Sequence, residues 1–279
     1  MKRSLAALAA STAAFAAFTA SAMAGVATYN STAALSVPNL TGINGVTSTI
    51  SVPAGRTAVQ SIEVPNLAIS WPSGGQELGL QLQDPSGDQM YLFPTGCTTY
   101  PNTSNFTITD NATQAADATI ASCDNAHLVG GSLKPVDPAS KKMSFFSGKA
   151  SSGNWLLRAI DSPGISMNQG TINTWAVRIT HAAPTLTATA TKQKLSKTLL
   201  LSATTNATGT LTTGGAAKAS TTQVTANTPV TVPFSLTKKT KKKIKKKGKG
   251  TAGVVVTLTD QTNGTATQTV PVKIKAKKK

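Results

Sequence analysis

The chain has 279 residues, 39% of them hydrophobic and 5% aromatic, and a formal net charge of +17. That length allows one large domain or two modest ones with cores of their own, and the abundance of Thr, Ala, Ser and Val suits short strands better than helices. Beyond the first residues no apolar run is long enough to span a bilayer, which excludes a multi-span helical membrane protein.

Residues 1–24 have the three parts of a secretory signal. Lys2 and Arg3 come first, then an apolar stretch from Leu5 to Phe18, then Ala22-Met23-Ala24 before Gly25. The stretch is Ala-dominated and interrupted by Ser11 and Thr12, so it reads as a leader cleaved after Ala24 rather than an anchor. The expected location is secreted, extracellular or attached to a cell surface. Charge then divides the remainder. Residues 25–183 carry seven Lys or Arg against nine Asp or Glu, a net of −2, whereas residues 184–279 carry eighteen Lys against the single acid Asp260, a net of +17.

In the first of these two domains, alternating apolar and polar runs begin at Thr47. Ile50 and Val52, then Val59, Ile62 and Val64, then Leu67 and Ile69, and then Leu78, Leu80 and Leu82 mark strands. Asp84-Pro85-Ser86-Gly87 is a turn with Pro preset at its second position and Gly at its fourth, and Met90 to Phe93 leads back out. Residues 94–139 are polar and read as a long loop excursion holding both cysteines, Cys97 and Cys123. In an exported chain these two suit a disulfide, which would close a loop of about 27 residues and stabilise by roughly 3.5 kcal/mol; a pair of free buried thiols is the alternative. Structure resumes at Phe145-Phe146, continues through Gly153 to Asp161, and ends in a last strand from Gly170 to Ile179. Strands at short intervals with no helical period between them predict an antiparallel β-sandwich.

The order of these pieces resembles the P domain (P/Homo B domain), a jelly-roll-like, galactose-binding-like β-sandwich that follows the subtilisin-like catalytic domain of proprotein convertases. The resemblance rests on the Asp84-Pro85-Ser86-Gly87 turn, the Gly153, Trp155, Leu157, Asp161 run and the Gly170, Ile172, Trp175, Val177 ending, and it covers about Gly45 to Thr180. It implies an association with serine-type endopeptidases, and Asp161 matches an acid at the family's strand end. Departures fall at Ile69-Ser70-Trp71, where the family often has His, and at Asn168-Gln169, where an acid commonly precedes the closing Gly.

The sequence offers no protease. Gly-x-Ser-x-Gly is absent, and the two histidines are His127, near Asp124 in the polar loop, and His181 at the domain exit. Calcium is the expected cofactor if there is one, with Asp161, Asp84 and Asp88 as candidate ligands, although Asp84 and Asp88 also suit the capping of a turn. Trp155 and Trp175 are expected in the core, and Trp71, beside Pro72, is the candidate exposed platform for a carbohydrate.

From Thr185 six Thr- and Val-rich runs predict a second, smaller sandwich: 186–190, 199–203, 209–212, 230–234, 254–258 and 270–274. Its outline resembles the immunoglobulin-like C-terminal modules of actinobacterial surface proteins. Nine lysines crowd residues 238–249: Lys238, Lys239, Lys241, Lys242, Lys243, Lys245, Lys246, Lys247 and Lys249. Leu236, Thr240 and Ile244 fall four apart and Gly248 sits at a C-cap position, so the run predicts a short Lys-rich surface helix. Such a face is either merely solvated or binds a polyanion. Without Arg or aromatic interleaving it is unsuited to reading base sequence, which leaves a cell-wall polyanion or a protein as partner; Lys277-Lys278-Lys279 would add to the grip. The expected function is thus a secreted, non-catalytic interaction or surface-attachment protein. The rivals are an accessory component of a serine endopeptidase and a carbohydrate-binding sandwich.

Overall fold

The computed structural model describes residues 21–39, 45–71, 78–94, 103–112, 131–161 and 169–276, and among these it is nearly all β. In chain order the strands of the front domain and its approach are β1 (Ser21–Met23), β2 (Val26–Asn30), β3 (Leu35–Val37), β4 (Val46–Val52), β5 (Val59–Ser70), β6 (Leu78–Gln83), β7 (Gln89–Phe93), β8 (Thr103–Ile108), β9 (Ser132–Leu133), β10 (Gly153–Asp161), β11 (Gly170–Thr174) and β12 (Ala176–His181). The back domain holds β13 (Leu186–Thr189), β14 (Gln193–Lys194), β15 (Leu199–Thr205), β16 (Gly209–Gly215), β17 (Ser220–Val224), β18 (Val230–Phe234), helix α1 (Lys238–Lys247), β19 (Lys249–Asp260) and β20 (Thr265–Lys275).

The period-2 pattern read from the sequence becomes alternate burial. In β15, for example, Leu199, Leu201, Ala203 and Thr205 point inward and the residues between them outward. The front sandwich packs a four-stranded sheet, in the order β4-β10-β6-β7, against a larger one running β2-β12-β5-β11-β3 with β8 and β9 attached. Trp155, Trp175, Phe93, Phe146 and the Leu residues of β6 are almost completely buried between them. Both tryptophans satisfy their ring N–H, Trp155 on the Ser151 carbonyl at 2.9 Å and Trp175 on Ser48 Oγ at 2.8 Å. In the back domain β1-β20-β19-β16-β17, with β14 against β20, faces the smaller sheet β13-β15-β18 across a separate core. The described strands pair antiparallel except for β8 with β9 and β14 with β20.

Several elements differ from the sequence reading. Val59–Ser70 is one strand rather than two runs. Pro65, which has no N–H for the ladder, and Asn66, at a φ of 52°, form a bulge, and the register with β8 shifts between Val64 and Leu67. Conversely the last strand divides at Trp175, and its two halves, β11 and β12, lie along opposite ends of β5. The expected long loop contains β8, which buries Phe106 and Ile108 against the core. The turn Asp84-Pro85-Ser86-Gly87 joins β6 to β7, with Gly87 N donating to Asp84 O at 3.0 Å.

Candidate functional site

Helix α1 is started by Thr237, whose hydroxyl accepts from Thr240 N at 3.3 Å, and stopped by Gly248 at a φ of 71°. Lysines in its last turn also suit the negative end of the helix dipole. Ile244 is the one residue the helix buries. It lies against Gly250, where a β-carbon would stand 3.1 Å from Ile244 Cγ1. That anchor turns the polar face outward, so that eight of the nine lysines in 238–249 are exposed and Lys241 is half-buried.

Where α1 runs into β19, the lysines meet others that the charge run had not pointed to. Lys249 stands directly opposite Lys275 in the β19–β20 ladder, and Thr251 opposite Lys273; all four side chains are exposed, with Ala252, Val272 and Ile274 facing the core. Lys192, Lys247, Lys249, Lys273 and Lys275 line one groove of about 780 Å³, floored by Gly248, Gly250, Ile274 and Ala276. Like charges directly opposite in an antiparallel pair destabilise it. No described residue nearby offsets this. Among the described residues every salt bridge belongs to the front domain, and the back domain's single acid, Asp260, is buried in the turn at the far end of β19. Lys273 and Lys275 were legible as alternate members of a strand ending Val-Lys-Ile-Lys; Lys192 was not. Lys277, Lys278 and Lys279 lie outside the described residues.

The other predicted positions separate. Asp84 is 2% exposed, and its Oδ1 accepts from Ser86 N, Ser86 Oγ and Asp88 N at 2.7–2.9 Å. Lys149 Nζ stands 2.5 Å from Asp88 Oδ2, 3.8 Å from Asp84 Oδ2 and 3.7 Å from the Phe145 ring centroid. Its ammonium takes the place between the two carboxylates that a cation would need, and its hydrogen bond holds the Asp88 carboxyl below the ordinary range. Asp161 is fully buried at the other end of β10, opposite Leu78. It is therefore about 20 Å along the sheet from Asp84. These three acids do not form one calcium site. Among the described residues no three His, Cys, Asp or Glu stand together.

Trp71 is not an exposed platform. It is fully buried, with Gly170 so close that a β-carbon there would fall 2.0 Å from Trp71 Cε3. His181 is also fully buried, its Nδ1 3.3 Å from Thr57 O and its Nε2 3.3 Å from Tyr29 Oη. Burial pushes its pKa down, so the ring stays neutral. Cys97, Cys123, Asp124 and His127 lie outside the described residues.

No protein-family model matches the chain, and no curated protein does. The resemblance to the P domain therefore rests on its spaced motifs alone. Among solved structures the chain is similar to a serine protease of Aeromonas sobria, at 14% identity and a TM-score of 0.33, with 59% of this chain and 27% of that one aligned. The same figures apply to that protease in complex with its chaperone, ORF2. A third similarity is to the adhesin domain of Epf from Streptococcus pyogenes, at 7% identity and a TM-score of 0.30, over 88% of this chain and 78% of that one. The chain thus spans about a quarter of the length of the protease. With TM-scores below 0.5, these likenesses establish neither a shared fold nor a shared activity.

Proposed function

We propose that this is an exported, non-catalytic protein that attaches to anionic polymer through the lysine face of its back domain. The observation that carries the reading is the Lys249–Lys275 pair, set directly cross-strand in a five-lysine groove with no carboxylate among the described residues to balance it. A local rule is broken there without compensation among the described residues, and such breaches concentrate where a ligand supplies the missing term. Lysine gives strong but sequence-blind attraction to phosphate or carboxylate repeats. The groove supplies the fixed end of that grip and α1 extends it along the surface. The front sandwich bears no comparable charge and serves as the body that the lysine module tethers.

Long-chain inorganic polyphosphate is a suitable probe. The protein is expected to bind it with an affinity that falls steeply as salt rises. The combined substitution Lys249→Gln, Lys273→Gln and Lys275→Gln is expected to weaken binding at least tenfold while raising the melting midpoint slightly, because the like-charge pair is gone. Unchanged affinity in that variant would overturn the groove as the site.

A further inference from the structure

Asp260, the one acid of the back domain, is 7% exposed. Its Oδ1 accepts from Thr262 N, Thr262 Oγ1 and Gly264 N at 2.7–2.8 Å, which fixes the turn between β19 and β20. It forms no salt bridge with a described residue, although a carboxylate this enclosed ordinarily has a cationic partner. Its other oxygen faces the point where the chain enters the front domain. A β-carbon on Gly264 would fall 2.8 Å from Asp260 Oδ2 and 3.1 Å from the Gly25 nitrogen, so those two atoms border the same small space. A β-carbon on Gly25 would fall 2.1 Å from Thr262 Oγ1 and 2.5 Å from Thr262 O. Gly25 itself is buried, and its carbonyl accepts from His181 N at 2.8 Å; Ser21 to Ala24 are exposed along the edge of β20. The Gly25 nitrogen therefore borders the space that Asp260 Oδ2 faces, in a residue packed against the Thr262 hydroxyl and carbonyl, yet as an amide it has one proton to offer.

We propose that this space is a binding site for a primary ammonium, and that its ligand is the chain's own new amino terminus. The proposal rests on the expected cleavage after Ala24. A leader peptidase adds water across the Ala24–Gly25 bond; the carboxyl leaves with Ala24, and the freed amine takes up a proton. The ammonium then has three N–H donors for Asp260 Oδ2 and the Thr262 oxygens, at the seam where β12 hands over to the back domain. Removal of Ser21 to Ala24 also uncovers the edge of β20 at Thr265 to Thr267. The charged and titratable neighbours are Arg56, which donates to Gln261 Oε1, neutral His181, and Tyr29, whose pKa burial raises. Of these only Arg56 is a cation.

The test has two stages. Intact mass of the exported protein first locates the amino terminus; any start other than Gly25 overturns the proposal through its premise. Three chains are then melted: one beginning at Gly25, one at Ala24, and one at Gly25 with an acetylated terminus. The first is expected to melt about 3 °C or more above the other two. Asp260→Asn, which keeps the Oδ1 acceptor for the turn, is expected to remove that difference. Pairing raises the amine above its ordinary pKa of about 7.7–8.0, so the advantage should be full below that range and vanish as pH rises past the raised value. Acetic anhydride should modify the Gly25 amine at least tenfold more slowly than the amine of a short Gly-Val-Ala-Thr peptide. Equal midpoints in the three chains, or an amine as reactive as the peptide's, would overturn the proposal even with Gly25 established as the terminus.

Discussion

Lys149 shows how a single side chain can settle what a pair of acids is for. With its ammonium against Asp88, near Asp84 and over the Phe145 ring, the turn is closed by the protein's own cation. Excess chelator is therefore expected to leave the melting midpoint unchanged, and a rise on adding calcium would contradict this account. His181 is one residue through which pH acts. Unfolded, it takes up a proton near pH 6.5; folded, it stays neutral to lower pH. The unfolded chain thus binds more protons below that value, and stability should fall as pH drops from about 6.5 towards the lower folded pKa. Above that range the residue makes no difference. A midpoint indifferent to pH between about 7 and 5.5 would show that the ring takes up its proton in the fold as readily as in the unfolded chain, and would contradict this account. Trp71 marks the limit of reading residues singly. Its neighbour Pro72 argued for a loop, but the hole that Gly170 leaves for its ring is a tertiary fact with no local signature. Trp71→Ala should cost about 3–5 kcal/mol, as a core cavity does, rather than abolish any glycan binding.

At the scale of elements, helix α1 was legible in its anchor and stop, because Ile244 and Gly248 act by local chemistry, whereas its cap, Thr237, was not read and Leu236, expected on the same face, precedes the helix in a bridge to Ala217. Ile244→Ala should destabilise the back domain by about 2–5 kcal/mol and loosen the lysine face with it; denaturant unfolding with polyphosphate binding on the same variant checks both. Strands whose apolar residues alternate were legible for the same reason. Among those missed, β17 and β8 are built largely of Thr, Ser, Asn and Gln, which pair well but give little hydrophobic period, and β2 and β3 are short stretches ahead of the first apolar alternation. The bulge at Pro65-Asn66 was read as a strand end because Pro ordinarily interrupts a ladder. Only the partner strands β8 and β11 reveal that β5 continues through it.

Across the whole molecule, two hydrophobic cores lie on either side of a seam. The loop of Gly55, Arg56 and Thr57 crosses it, with Thr208 N donating to Gly55 O at 2.9 Å and Arg56 Nη1 donating to Gln261 Oε1. Charge follows the same division: the front is near neutral, and the back is basic with its one acid held at the seam. The division was legible in the sequence as a count, but the groove was not, since it gathers Lys192 from just before β14, Lys247 from α1 and Lys275 from β20, which the β14–β20 and β19–β20 pairings bring together. The most direct test of attachment through that face is the salt dependence of polyphosphate binding by the protein and by its Lys249→Gln, Lys273→Gln, Lys275→Gln variant. A steep logarithmic fall with salt, shallower by about two to three in slope for the variant, is expected. Binding that ignores salt, or parallel slopes of equal affinity for the two proteins, would contradict it.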